Sequence, residues 1–241
     1  QMVHARQAAQ GIEHHMEYIT DTLELLARLP GVIAADGEGM AVMRDYQAHH
    51  ADEVKGVTRV DAGGRIVFTT PESAGAVGRD ISYQAHVREI LRTRQTVVSD
   101  IFMAVQGFRT IAVHVPVFRN GVFDGTVAFL LSFDRIAQSY IENIRVGASG
   151  YAWVVSREGF EISCPLPGHV GRSVFETCRD FPEVTAMARR MLMGETGVTA
   201  YHFLRDDDPR GGIVLKHAVF RPIRIGGEFW SIVVATPADE V

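Results

Sequence analysis

The second half of the sequence repeats the pattern of the first half. In each half, two short strand-like runs meet at a glycine turn, a helical run follows, and two longer strand-like runs meet at a second turn. Four pairs of residues mark the repeat in the same order: Gly64 and Gly159, Gly78 and Gly171, Pro116 and Pro222, and Gly121 and Gly227. Such a repeat indicates that one structural unit is formed twice in tandem. A chain of 241 residues is long enough for two units of about 100 residues each.

The strand-like runs within each unit predict an antiparallel sheet. They follow one another directly, and the turns that join them are at residues 61–64, 119–121, 156–159 and 225–227. Short turns join antiparallel neighbours, whereas parallel neighbours need a long crossover connection. Helical runs at residues 83–92 and 183–193 would flank the two sheets. The predicted fold class is therefore α+β, with two tandem domains that each contain an antiparallel sheet and flanking helices.

A long amphipathic helix is predicted at the start of the chain. Its apolar residues recur at alternating steps of four and three until Pro30: Ala5, Ala9, Ile12, Met16, Ile19, Leu23 and Leu26. Such a helix is longer than one small domain needs, so it would pack along two successive domains or against its own copy in a dimer. We expect a stalk helix at residues 1–30 and a homodimer formed through it.

Charge and hydropathy exclude several classes of partner. The chain has 24 Lys and Arg against 29 Asp and Glu, a net charge of −5, and therefore lacks the basic field that nucleic acid demands. No apolar run approaches the roughly 18 residues that span a bilayer. Because the chain starts at Gln1, we interpret it as a segment of a longer protein and expect any membrane attachment outside it.

Motifs of common enzyme and cofactor sites are missing from the sequence, so we expect no enzyme activity, no cofactor and no metal site. A hydrolase is the enzyme alternative. The histidines at residues 13–17 and 49–52 are paired, and adjacent helical imidazoles point about 100° apart, so each pair offers only part of a coordination sphere. The acidic run at residues 205–210 predicts a solvated turn, with calcium binding as the alternative. Cys164 and Cys178 are predicted to be two free thiols or one disulfide.

The order of these segments resembles the double Cache sensor domain, the tandem PAS-like (PDC) extracytoplasmic module of bacterial receptors. The segments that carry the resemblance are residues 60–67, 77–81, 98–100, 110–116 and 125 in the first unit, and residues 150–155, 159, 170–171 and 229–237 in the second. The resemblance implies two PAS-like domains behind the helix at residues 1–30. Residues 31–142 would form the membrane-distal, ligand-binding domain, and residues 143–241 the membrane-proximal domain.

The resemblance also implies a function. The chain would be the periplasmic sensor domain of a transmembrane receptor, anchored in the bacterial inner membrane by segments outside the sequence. It would bind a small molecule in the distal domain and transmit the signal through the long helix and the C-terminus. We expect a histidine kinase as the output; a chemoreceptor, a cyclic-dinucleotide enzyme, or a dimerisation module without a ligand are the alternatives.

Polar residues at positions where the periodicity favours apolar ones are the candidate ligand-binding residues. They are Tyr83, His86, Arg88, Ser99, Asp100, Arg109 and His114. Arg109 and Asp100 together would suit a zwitterion or a hydroxy acid, because a guanidinium binds a carboxylate and a carboxylate binds an ammonium or hydroxyl group. The alternatives are a solvated Arg88, a turn or helix-cap role for Asp100, and a His114 whose hydrogen bonds are satisfied within the sheet.

The ligand is expected to be an organic acid, an amine or an amino acid. Amino-acid-binding members of the resembled family share an Arg-x-Trp-type segment after the pocket helix and an aspartate late in the last long strand. Here Trp153 and Trp230 both lie in the second unit, and residues 129–132 contain no aspartate. This departure makes an organic acid or another metabolite at least as good a candidate as an amino acid.

Overall fold

The computed structural model describes residues 1–205 and 212–241, so the aspartates of the acidic run, at 206–208, lie outside the described residues. The helices are α1 (Met2–Ala27), α2 (Pro30–Ala34), α3 (Gly37–His49), α4 (Ala85–Thr93), α5 (Phe133–Tyr140), α6 (Val174–Thr177) and α7 (Pro182–Leu192), with a 3-10 helix at Ala238–Glu240. The strands are β1 (Val54–Val60), β2 (Ile66–Thr70), β3 (Val97–Val98), β4 (Phe102–Met103), β5 (Arg109–Arg119), β6 (Val122–Leu131), β7 (Tyr151–Val155), β8 (Glu161–Ser163), β9 (Gly197–Leu204), β10 (Ile213–Ile225) and β11 (Glu228–Pro237).

These strands form two antiparallel sheets with the same arrangement. The first sheet has the order β2-β1-β6-β5-β3, with β4 paired to β5 outside this path. The second sheet has the order β8-β7-β11-β10-β9. In each sheet the two long final strands therefore lie between the initial hairpin and a third strand. The predicted α+β fold, a long helix followed by two tandem antiparallel units, is confirmed.

The repeat extends to single residues. Ile66 in the first hairpin and Glu161, 95 residues later, both begin their strand and lie next to a register shift in the strand pair. The turns before them contain Gly64 and Gly159, and both glycines have a φ of +87°. L side chains rarely adopt this left-handed conformation, so glycine is favoured at both turns. These two glycines, the first pair that marked the repeat in the sequence, therefore occupy equivalent places in the two hairpins.

The chain divides into two compact units. Residues 16–135 form the upstream unit, and residues 1–15 together with residues 136–241 form the downstream unit. Helix α1 thus contributes residues to both units. The predicted domain boundaries, at 30/31 and 142/143, stay a prediction.

The apolar stripe of α1 is buried within the chain. Its buried members are Ala5, Ala9, Ile12, Met16, Ile19 and Leu23, whereas Leu26 is half-buried. The apolar side chains that α1 leaves exposed are Met2, Val3, Tyr18 and Leu25. A dimer through α1 would therefore use these residues and not the stripe. Among the helices of residues 1–205 and 212–241, none has both the length and the hydropathy of a membrane span.

Each sheet forms a core with the helices of its own unit. In the upstream unit, α4 packs against one face, where Val60, Ile66 and Val87 form an apolar cluster. On the other face, the ring of Tyr46 from α3 stacks on Phe129 with centroids 4.8 Å apart. In the downstream unit, α7 packs on β9, β10 and β11.

Candidate functional site

A small cavity lies between α4 and the sheet of the upstream unit. Its volume is about 20 Å³, which is room for about one water molecule. Its lining consists of Thr58, Ile66, Ile81, Gln84, His86, Phe102, Val105, Gln106, His114, Ala128 and Leu130. Apart from two imidazoles, two amides and one hydroxyl group, these side chains are apolar. Within the described part of the chain, no lysine, arginine, aspartate or glutamate lines the cavity.

His86 is the polar residue that α4 directs into this cavity. The helix begins after Gln84, which has an extended backbone, and its apolar face buries His86, Val87 and Ile90. The His86 ring lies 4.4 Å from the Phe102 ring between centroids, and its Nε2 atom is buried with no hydrogen-bond partner among the described residues. An unpaired buried donor or acceptor costs about 1–3 kcal/mol. This nitrogen is therefore an atom whose hydrogen bond a bound molecule could satisfy.

His114 lies beside His86 on the floor of the cavity. It comes from β5 and is 2% exposed, and its ring centroid is 5.2 Å from that of His86. Its Nδ1 atom is 3.1 Å from the hydroxyl oxygen of Thr126 on β6. Burial lowers the pKa of His86 to about 4, and burial together with the neighbouring His86 lowers the pKa of His114 well below its usual value. Both imidazoles are therefore neutral near pH 7, and each can donate one hydrogen bond and accept another.

Gln106 fills the polar side of the cavity. It lies in the tight turn between β4 and β5, where the Ala104 amide donates to the Phe108 carbonyl at 2.9 Å. Its Nε2 donates to the hydroxyl oxygens of Thr58 at 3.3 Å and Thr69 at 3.1 Å, and these hydroxyls are 3.1 Å apart. The side chain thus occupies the place where a polar ligand group would meet the two hydroxyls.

Of the seven predicted ligand-binding residues, the cavity brings together two, His86 and His114. Tyr83 precedes α4 and is 63% exposed. Arg88 is exposed on the outer face of α4, and Arg109 is exposed at the first residue of β5. The structure therefore does not place these three side chains at the cavity.

Ser99 and Asp100 also lie outside the cavity lining. The buried Ser99 hydroxyl donates to the Asp100 carbonyl at 2.7 Å and accepts from the Ala112 amide at 2.8 Å, so it ties the segment after β3 to β5. Asp100 is half-buried in that segment. A ligand-binding role for these five residues stays a prediction.

Thr58, Gln84 and Gln106 line the cavity but were not among the predicted site residues. Thr58 lies between Val57 and Arg59 in β1, and a threonine in such a strand gives no signal that distinguishes it as a site residue. Gln84 directly precedes the pocket helix. Gln106 lies in a turn without periodicity, so its sequence position gives no indication of where its amide lies.

A larger groove of about 400 Å³ lies elsewhere on the upstream unit, lined by Glu24, Ala27, Arg28, Ile33, Gln95, Thr96, Pro116 and Phe118. Its polar groups partly satisfy one another, since the Thr96 hydroxyl donates to Glu24 at 3.4 Å. No side chain with an unpaired buried polar atom lines this groove among the described residues. The His86 and His114 cavity is therefore the better candidate site.

The segment that contains this cavity matches a known protein family. Residues 30–132 match the family described as HK/GC/Chemotaxis protein-like, sensor domain. This segment contains every residue of the cavity lining. Among curated proteins, none matches the sequence.

Three solved structures have the same fold. The extracellular ligand binding receptor from Desulfohalobium retbaense has a TM-score of 0.73 at 21% identity, and the match covers 96% of this chain but only 39% of that receptor chain. The ligand-binding domain of the Pseudomonas fluorescens chemoreceptor CtaA, in complex with L-serine, has a TM-score of 0.72 at 16% identity and coverages of 98% and 94%. The ligand-binding domain of the Pseudomonas aeruginosa amino acid chemoreceptor PctB, in complex with L-Arg, has a TM-score of 0.74 at 16% identity and coverages of 99% and 94%.

Three observations indicate the same kind of domain: the family match, the strand order and the structural neighbours. Identities of 16–21% show the fold, and the family match adds the sensor class. Residues 30–132 therefore match a sensor-domain family, within a chain whose fold is that of Cache-type ligand-binding domains.

Proposed function

We propose that the chain is the periplasmic ligand-binding part of a receptor anchored in the bacterial inner membrane, and that it binds a small polar molecule at the His86 and His114 cavity. The observation that carries this proposal is the buried, unpaired Nε2 of His86 in an enclosure that, among the described residues, contains no charged side chain. Pockets of this kind, with few polar groups on an apolar wall, are typical of small-molecule sites. The family match over residues 30–132 supports the same unit as the ligand-binding one.

The ligand class is the one expected from the sequence, and the polar groups of the cavity indicate how such a ligand would be recognised. We infer an organic acid, an amine or an amino acid, and the L-serine and L-Arg complexes of the structural neighbours support molecules of this size. Because the imidazoles are neutral near pH 7, their contribution to recognition is hydrogen bonding and not ion pairing. Ligands that carry a hydroxyl or amide group would therefore gain most from this lining.

Binding requires the cavity to open. Its volume of about 20 Å³ excludes any molecule larger than water, so the Gln106 turn or α4 must move when a ligand enters. A receptor needs two conformations with different ligand affinities, and this movement would provide them. The displacement would pass through α1 and the C-terminus to an output domain outside the chain. A histidine kinase is our first choice, and a chemoreceptor or a cyclic-dinucleotide enzyme are the alternatives.

A thermal-shift screen of organic acids, amines and amino acids, followed by calorimetric titration of the best hit, tests the proposal. We expect His86→Gln to abolish the stabilisation by that hit. Arg109→Ala and Asp100→Asn, which change predicted residues outside the cavity, should retain it. The opposite result, loss in the latter variants and retention in His86→Gln, would place the ligand near Asp100 and Arg109 instead.

A dimerisation module without a ligand is the second candidate function. Tyr18 and Leu25, seven residues apart on α1, are 59% and 64% exposed, which favours a contact with another helix. We propose a homodimer through this face. Light scattering should give the mass of a dimer, and Leu25→Glu should reduce it to that of a monomer; a monomeric wild-type chain contradicts the proposal.

A further inference from the structure

The downstream unit contains a second polar cluster, distinct from the candidate ligand site. Glu161, Cys164 and His169 place one potential metal-ligating atom each within 4.8 Å of one another. Glu161 begins β8, Cys164 follows the end of that strand, and His169 lies in the loop after it. All three come from nine consecutive residues, so the local chain alone brings them together.

The carboxylate and the imidazole already converge on one point. Glu161 is 1% exposed, and the Nδ1 of His169 is 3.0 and 3.1 Å from its two oxygens. The Thr177 hydroxyl donates to the same carboxylate and fixes its orientation. In a tetrahedral zinc site, metal bonds of about 2.0–2.2 Å separate nitrogen and oxygen ligands by roughly 3.3 Å. A shift of a few tenths of an ångström would therefore admit an ion between the two side chains.

The loop that carries these residues is closed by backbone hydrogen bonds. The Glu161 amide donates to the Arg172 carbonyl at 2.9 Å, and the Gly171 amide donates to the Glu161 carbonyl at 2.8 Å. The Arg172 amide donates in turn to the His169 carbonyl at 3.0 Å. Ligands on such a closed loop need little ordering when an ion binds, which is the condition for a preformed site.

The enclosure has the dimensions of an ion. The three side chains line a cavity of about 10 Å³ together with Tyr151, Trp153, Leu166, Cys178, Val184, Tyr201 and Phe203. This space holds one ion or one water molecule and no metabolite. His169, whose side chain is 17% exposed, is on the solvent side and leaves a route of entry.

The internal repeat shows that the fold does not require these residue types. The strand pairing and backbone hydrogen bonds that locate Glu161 and His169 also occur in the upstream unit, where the equivalent residues are Ile66 and Ala76. The position equivalent to Cys164 is Thr69. One copy of the fold is therefore stable with an isoleucine where the other buries a carboxylate. The burial of Glu161 is matched by its pairing with His169 and Thr177, so the downstream unit contains a polar cluster that the fold itself does not require.

We propose that Glu161, Cys164 and His169 bind a single divalent ion of the zinc class. The carboxylate and the thiolate supply two negative charges, so the site with a divalent ion and a neutral imidazole is uncharged. Cys164 releases its thiol proton to solvent as the sulfur–metal bond forms. Sulfur and nitrogen ligands select late transition ions over Ca²⁺ and Mg²⁺, which prefer oxygen. The ion would join β8 to the loop that follows it.

The test is a zinc titration of the reduced, metal-stripped chain against a chromophoric chelator. We expect one Zn²⁺ per chain, and affinity at least about 100-fold weaker in Cys164→Ser and in His169→Asn, since loss of even an outer partner costs 10–100-fold. The matched control is His202→Gln. His202 also pairs with a carboxylate, with its Nδ1 3.0 Å from Glu183, but this pair is exposed and has no thiol. This variant should bind zinc like the wild type.

Cobalt substitution gives a readout that depends on the thiol. The wild-type chain with Co²⁺ should show thiolate-to-cobalt charge-transfer absorption, and Cys164→Ser should lack it, with circular dichroism confirming that each variant is folded. The proposal is overturned if the wild type lacks this absorption, if the two ligand variants bind zinc like the wild type, or if Ca²⁺ competes equally. It is also overturned if Cys164 and Cys178, which are free thiols in the structure, are found disulfide-bonded and the chain binds no zinc even after reduction.

Discussion

Arg59 is a charged side chain placed almost entirely inside the upstream unit. It is 2% exposed, its Nη2 lies 3.0 Å from the carboxylate of Asp124, and its Nε donates to the Val32 carbonyl at 3.1 Å. Burial lowers the pKa of Arg59, while the adjacent Asp124 raises it again. The guanidinium therefore depends on the adjacent carboxylate of Asp124 and on carbonyl groups that fix α2 to the sheet.

This dependence gives a stability prediction. We expect Asp124→Ala to lower the free energy of unfolding by roughly 3 kcal/mol, because it leaves a buried charge without its counter-charge. Asp52→Ala is the matched control, since Asp52 pairs with Arg135 at 3.8 Å but both side chains are exposed. That change should cost less than about 1 kcal/mol. Denaturant unfolding measures both values, and equal losses would contradict the role of Asp124.

The buried His86 predicts a loss of stability in mild acid. The folded chain holds its pKa at about 4, below the ordinary 6.5, so the unfolded chain binds a proton at higher pH than the folded one. Stability from this group is present above pH 6.5 and is lost as the pH falls toward 4. Between pH 7 and pH 5 the loss should be about 2 kcal/mol, and His114 acts in the same direction.

The His86→Gln variant isolates this effect. Between pH 7 and pH 5, its free energy of unfolding should fall by about 2 kcal/mol less than that of the wild type. His49→Gln is the control, because His49 is exposed in the same unit. Its pH dependence should match that of the wild type. A His86→Gln variant with an unchanged acid slope would show that His86 is not buried in its neutral form.

Residue types in the sequence could not separate the two histidines from the five other predicted site residues. The sequence indicated polar side chains in α4 and β5 as candidates, but whether Arg109 faces solvent depends on where β5 begins, at Arg109 itself. The zinc-class cluster was missed because a glutamate, a cysteine and a histidine at positions 161, 164 and 169 match no familiar spacing of metal ligands. Only the closed loop brings them together.

At the scale of elements, the periodicity of apolar residues predicted longer helices. The predicted helices at residues 83–92 and 183–193 correspond to α4 and α7, and the predicted turns joined the strands of both hairpins in each unit. Helices α2, α5 and α6 were not predicted, because four to eight residues are too few to show a clear 3.6-residue period. Strand β9 was also missed; it lies at the edge of its sheet and exposes Val198.

The turn between β4 and β5 predicts how the ligand cavity is regulated. Gln106 donates hydrogen bonds to Thr58 and Thr69, which also bond to each other and so remain paired without it. We expect Gln106→Ala to bind the ligand about fivefold more tightly, because the ligand no longer displaces hydrogen bonds worth about 1 kcal/mol. Calorimetry of the best hit measures this change. Weaker binding would show instead that Gln106 contacts the ligand directly.

At the scale of the whole molecule, one fold carries two different polar interiors. The cavity of the upstream unit is lined by two imidazoles, two amides and a hydroxyl group, and that of the downstream unit by a carboxylate, two thiols and an imidazole, among other side chains. Since strand order and hairpin register are shared, the difference lies in side chains and not in topology. The division of polar groups favours separate roles for the two units.

Trp153 and Trp230 both belong to the downstream unit, so tryptophan fluorescence reports on that unit alone.

Helix α1 is the element through which we expect a ligand signal to pass, since its residues up to 15 belong to the downstream unit and the rest to the upstream unit. A proline at the exposed Glu17 would interrupt the helix next to this boundary, at a cost of about 3 kcal/mol. We expect ligand to change tryptophan fluorescence in the wild type and in Glu17→Ala. In Glu17→Pro the ligand should bind with similar affinity, measured by calorimetry, while the fluorescence change is lost. A response that persists in the proline variant would show that the signal reaches the downstream unit by another route.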